Sequence, residues 1–76
     1  MPELTQKQID IISAMAFEDM NVARVAELMR LHRNSVTWHL EQIKKKTGLD
    51  PRNFFDLHEL FRLTGGDDDA DQETAM

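Results

Sequence analysis

Three residues, Arg30, Leu31 and His32, are all that separate two stretches of helical periodicity, and this spacing is the tightest constraint on how the chain folds. Upstream, Val22, Val25, Ala26 and Met29 fall at i, i+3, i+4 and i+7 behind the N-cap candidate Asn21, which predicts a helix over 22–29 of about two turns. A helix that short is unstable alone in water and has to be clamped between neighbours. Downstream, the spacing predicts a longer helix over 33–47, with Val36, Leu40 and Ile43 as its apolar stripe. Lys44, Lys45 and Lys46 complement the carboxyl end of its dipole, and Gly48 is placed to close it.

A short helix, a tight break and a longer helix have the spacing of a helix-turn-helix. Ala26 permits close approach of the two, and Val25, Met29, Leu31, Val36 and Leu40 supply an internal face. The same pattern also suits two helices of a plain bundle. Before it, Thr5 and Gln8 form a capping box with Leu4 and Ile9 as a hydrophobic staple. Ile9, Ile12, Met15 and Ala16 then predict a buried stripe on a helix over 5–18. After the turn at 49–53, Asn53 caps a fourth helix over 54–63 with Phe54, Leu57, Leu60 and Phe61 as its stripe. Phe54, Phe55 and Phe61 read most simply as core, but Phe55 lies off the stripe and leaves room for an aromatic pairing face. With no strand-like alternation and no repeat, the expected fold is all-α, a three-helix helix-turn-helix core plus a fourth C-terminal helix. One domain is expected over residues 1–64, followed by a disordered acidic tail over 65–76.

The chain has 76 residues and no cysteine, so neither a disulfide nor a thiolate metal site is available to hold it. A core this small favours pairing of two copies. No apolar run approaches the roughly 20 residues of a membrane span, and the N-terminus lacks the pattern of a signal peptide, so a cytoplasmic protein is expected. His32, His39 and His58 are scattered and lack cysteine support, so no metal site is expected. Without cysteine, tyrosine or a glycine-rich phosphate loop, no enzyme, cofactor or small-molecule substrate is expected either.

The net charge of −5 misleads, because five of the fourteen acids (Asp67, Asp68, Asp69, Asp71 and Glu73) lie in the tail, leaving nine acids against nine Lys and Arg elsewhere. Between Asn21 and Thr47 six basic residues face only Glu27 and Glu41, a local excess of four positive charges. At the start of the third helix, His32, Arg33, Asn34 and Ser35 put donors where a recognition helix enters the major groove of duplex DNA. Arginine there bonds guanine O6 and N7, asparagine bonds adenine N6 and N7, and serine or a backbone N–H holds a phosphate. Trp38 projects from the face opposite the stripe, along with Asn34, Glu41 and Lys45, with Thr37 flanking them.

The segment "HRNSVTWHLEQIKKKTGLDPRNFFDLHELFRL" resembles the C-terminal helix-turn-helix domain of PucR-type (CdaR-like) bacterial transcriptional regulators, and the preceding "NVARVAELMRL" is similar to that family's first motif helix. His32, Arg33, Asn34, Val36, Leu40, Thr47, Gly48, Leu49 and Asp50 agree with the family signature as they stand, with Ser35 in place of Thr; the resemblance covers roughly residues 5–64. It implies sequence-specific binding of duplex DNA by a transcriptional regulator. The expected arrangement has Arg33, Asn34 and Ser35 facing bases, His32 and Thr37 at the groove edge, and Trp38 and Lys45 near phosphates. Thr37 and His39 stand where the family commonly carries Arg, which lowers the expected phosphate-neutralising charge, and Trp38 stands where it commonly carries Tyr. Trp38 then either lies against sugar and phosphate or packs on the fourth helix or a partner copy. Lys45 either reaches a phosphate or belongs to a solvated helix end. The competing expectation is a helical interaction module that kept this fold and lost DNA binding.

Overall fold

The computed structural model describes residues 4–65; of the segment 65–76 read as an acidic tail only Gly65 is described, its N–H bonded to Arg62 O at 3.3 Å, and the rest lies outside the described residues. Four helices make up the described chain: α1 (Gln6–Phe17), α2 (Val22–Met29), α3 (Arg33–Thr47) and α4 (Phe54–Leu63). No strand occurs among the described residues, so the fold is all-α.

Each helix begins where a side chain satisfies its free N–H groups. The Thr5 hydroxyl accepts from Gln8 N at 3.1 Å while Gln8 Oε1 accepts from Thr5 N at 3.2 Å, a complete capping box. Asn21 and Asn53 each accept through Oδ1 from the N–H three residues on, at 3.2 Å for Arg24 and 3.1 Å for Asp56. Because Thr5 and Glu18 serve as caps, α1 is one residue shorter at each end than its periodicity suggests.

The core is Ile11, Ile12 and Met15 of α1, Val25 and Ala26 of α2, Val36, Leu40 and Ile43 of α3, and Leu57 and Leu60 of α4. α1 packs against all three other helices, and α2 lies on α3, so the helix-turn-helix pair rests on α1 while α4 closes the far side.

Two sequence expectations are corrected. The buried arc of α1 is Gln8, Ile11, Ile12 and Met15, with Ile9 only half-buried at its edge, because a helix contacted from three sides buries a wider and differently centred arc than a single stripe. Phe54 is 63% and Phe55 78% exposed, so neither belongs to the core; only Phe61 packs against it. Phe54 is the first residue of α4, and its ring lies edge-on to Phe55 and along a cleft it shares with Met15 and Met20, not in the closed core.

Candidate nucleic-acid interface

The break between α2 and α3 is built from three residues with separate roles. Arg30 takes the left-handed conformation (φ 56°, ψ 43°), which lets its N–H bond Glu27 O at 3.2 Å and the N–H of Leu31 bond Ala26 O at 2.9 Å. That pair of bonds is a Schellman motif, and Leu31 turns inward against the core beside Ala26. His32 is the N-cap of α3: its ring Nδ1 accepts from Asn34 N at 3.0 Å. Nδ1 is therefore unprotonated in this bond, and Nε2 is the ring nitrogen left to donate outward.

The first turn of α3 thus stands free of the core with its capped end exposed. Arg33 and Asn34 are exposed, while Ser35 and Thr37 are half-buried. At about 100° per residue, Asn34, Trp38, Glu41 and Lys45 share the outward face opposite Val36, Leu40 and Ile43. Arg33 and Thr37 border that face on one side. Ser35 falls on the opposite flank with His39 and Lys46, about as far round from the outward face as Arg33 is on its own side. Trp38 is 57% exposed, and its ring meets the His39 imidazole edge-on at 5.0 Å. Its neighbour across the ring is thus a residue of its own helix.

Ion pairing sorts the cations. Arg24 pairs with Glu18 at 3.4 Å and with Glu27 at 3.9 Å, Lys44 with Asp50 at 3.9 Å, Arg52 with Glu41 at 2.5 Å, and Arg62 with Glu59 at 2.5 Å. Lys46 Nζ donates to the buried amide of Gln8 at 3.0 Å, tying the end of α3 to the capping box of α1. Among the described residues, Arg30, Arg33 and Lys45 carry no acidic partner, and all three are exposed on or beside α3. Such cations need no ion pair broken before they meet an anion.

His39 sits on the α1-facing flank with its Nδ1 buried and unbonded. Burial holds its pKa below the ordinary 6.5, and the nearby charges of Lys7 and Lys46 push it the same way. The ring is kept neutral beside Trp38.

The exit of α3 is equally specified. Gly48 adopts φ 78° and donates to Lys44 O at 2.8 Å, the Thr47 hydroxyl donates to Ile43 O at 2.8 Å and accepts from Leu49 N at 3.1 Å, and Leu49 packs on the core. Asp50 Oδ1 accepts from Arg52 N at 2.9 Å, and Asp56 Oδ2 accepts from Asp50 N at 3.0 Å. The Thr-Gly-Leu-Asp sequence is a turn in which each residue has a bond or a burial to make.

Residues 9–62 match the family model of the PucR C-terminal helix-turn-helix domain. The chain belongs to this family. No curated protein and no solved structure matches it. The matched span of this PucR-type domain runs from within α1 to the last turn of α4, so it includes the Arg30–His32 break, all of α3 and the Thr-Gly-Leu-Asp turn. Sequence reading counted Arg30 in the basic stretch without giving it a place beside α3, and did not connect Arg52 with α3 at all. The i to i+5 bond of the Schellman turn, which exposes Arg30, has a signal in the short break; the Arg52–Glu41 pair, eleven residues apart, has none.

Proposed function

We propose that this PucR-type domain binds duplex DNA sequence-specifically as part of a bacterial transcriptional regulator, with α3 as the recognition helix in the major groove. The observation that carries this reading is the coincidence of free charge and exposed polar surface. Arg33 and Lys45 have no acidic partner among the described residues; Lys45 shares the outward face with Asn34 and Trp38, and Arg33 stands at its N-terminal end. In this reading Arg33 and Asn34 meet base edges, Arg33 through guanine O6 and N7 and Asn34 through adenine N6 and N7. His32 Nε2–H and Thr37 work at the groove edge, and Trp38 and Lys45 meet sugar and phosphate. Ser35, whose own N–H is bonded to His32 O at 2.9 Å, serves through its hydroxyl in the first turn, at the positive end of the α3 dipole.

A fluorescence-anisotropy titration with random-sequence duplex DNA at low and moderate salt tests this. Binding should fall steeply with salt and weaken in Arg33→Ala with helix content unchanged; no binding at low salt would leave the interaction-module reading in its place.

A second reading is favoured by one observation. Phe54 and Phe55 are exposed and touch edge-on at 5.4 Å, and beside them lies a cleft of about 290 Å3 lined by Met15, Met20, Phe54, Leu57, His58 and Phe61. This apolar surface supports pairing of two copies; a pair reading half-sites on successive turns of DNA would need its recognition helices about 34 Å apart.

A further inference from the structure

Glu41 is an acid on the face that the proposed function turns toward a polyanion. It stands seven residues after Asn34 and three after Trp38 on the outward side of α3, and its side chain is about half exposed. Left alone, its carboxylate would repel phosphates and weaken binding by α3. It is not left alone. Arg52, from the turn between α3 and α4, places Nη2 against Glu41 Oε2 at 2.5 Å, and Arg52 Nε lies 3.8 Å from Asp50 Oδ1, whose other oxygen is 3.9 Å from Lys44 Nζ. Glu41, Arg52, Asp50 and Lys44 thus form a chain of alternating charge with no net charge. The backbone of the turn fixes its middle, since Asp50 also accepts from Arg52 N at 2.9 Å and Asp50 N is held by Asp56. These bonds hold the backbone of Arg52 where its side chain reaches Glu41.

We propose that Arg52 is a positioning residue for DNA binding, which acts by holding the Glu41 carboxylate and cancelling its charge on the outward face of α3. The inference rests on the DNA-binding reading of α3. It makes the turn after α3 part of the interface and explains how this face carries an acid among its exposed residues. Arg52 acts through Glu41, so removing Glu41 removes the need for it.

The test compares Arg52→Gln, Glu41→Gln and the double variant Glu41→Gln/Arg52→Gln by anisotropy with random-sequence duplex at low salt. Arg62→Gln on α4 serves as a control with the same charge change, Arg33→Ala reports on the DNA reading itself, and circular dichroism confirms the fold of each. Arg52→Gln should bind on the order of three- to tenfold more weakly than Arg62→Gln, and the double variant should return to within about twofold of the unsubstituted protein. Glu41→Gln alone should bind more tightly, and it carries the test if Arg52→Gln fails to fold. Arg52→Gln binding as well as Arg62→Gln would overturn the proposal. So would a double variant as weak as Arg52→Gln, which would make Arg52 itself the contact. If Arg33→Ala weakens binding and the Arg52 and Glu41 variants do not, this inference alone fails; if Arg33→Ala has no effect either, the DNA-binding reading fails with it.

Discussion

The imidazole of His32 caps the helix whose second residue is Asn34: Nδ1 of the one accepts the backbone N–H of the other at 3.0 Å. The residue that closes the helix-turn-helix break therefore also orients the first turn of α3, from which Arg33 and Asn34 project. His32→Ala removes the acceptor and leaves that N–H to water. A loss of about 1 kcal/mol is expected, or a fall of roughly 4–8 °C in melting temperature for a domain of this size, measurable by thermal denaturation. His32→Asn, which supplies a shorter acceptor, should recover most of it. Equal melting temperatures for the alanine variant and the unsubstituted protein would show that the imidazole contributes nothing to the cap.

Gln8 is buried to 2% exposure and its amide oxygen accepts both from Thr5 N and from Lys46 Nζ. Gln8→Leu strips one half of the capping box and leaves the Lys46 ammonium without its acceptor. About 1–2 kcal/mol of stability should be lost in chemical denaturation, with the fold kept. A Lys46→Met substitution in the same background should then cost little further, because the two changes remove one shared contact.

These bonds mark the border of what the sequence could show. Thr5, Asn21, Asn53 and Gly48 were legible because a cap acts on a backbone group only two to four positions away, and the short break was legible because its length leaves few geometries. Lys46 and Gln8 are 38 positions apart, and nothing local in either segment announces the other. The α1 stripe holds at Ile12 and Met15, but i+3 spacing alone does not say how many helices surround a helix; three do, and the fully buried arc takes in Gln8 and Ile11 while Ile9 and Ala16 stay half-buried. Phe54 is different: periodicity counts positions around the axis and does not say that the first residue of α4 lines an open cleft while Leu57 and Leu60 are enclosed. On the outward face, the angular positions of Asn34, Trp38 and Lys45 followed from helical geometry, but the partner that holds Glu41 did not.

His39 gives the domain a pH dependence of definite sign. Its pKa is lowered in the folded state by burial and by Lys7 and Lys46, so below about 6.5 the unfolded chain takes up a proton that the folded chain resists. The stability it permits is present above that pH and is lost as pH falls through 6.5 toward the lowered folded value. Substituting His39→Leu abolishes this titration. The stability of the variant relative to the unsubstituted protein should improve as pH is lowered from about 7 to about 5, as read from urea denaturation at each pH; a difference that does not change with pH would contradict the assignment.

Phe55 is 78% exposed and touches Phe54, not the core. Phe55→Ser should leave the melting temperature of the monomer within about the equivalent of 0.5 kcal/mol, as for other exposed positions. Sedimentation at rising concentration should show weaker self-association in the variant if the aromatic surface pairs two copies. Unchanged association would assign pairing to another surface.

Trp38 is the sole tryptophan of the chain and stands on the outward face of α3, 57% exposed. Its fluorescence therefore reports directly on the surface assigned to DNA. The measurement that tests the central claim is acrylamide quenching of Trp38 during titration with duplex DNA at low salt. If α3 enters the groove, the indole becomes shielded: quenching falls and emission changes in step with binding, and both revert when salt is raised. If DNA binds while quenching and emission of Trp38 stay as they are in the free protein, the outward face of α3 is not the interface, and α3 is not the recognition helix.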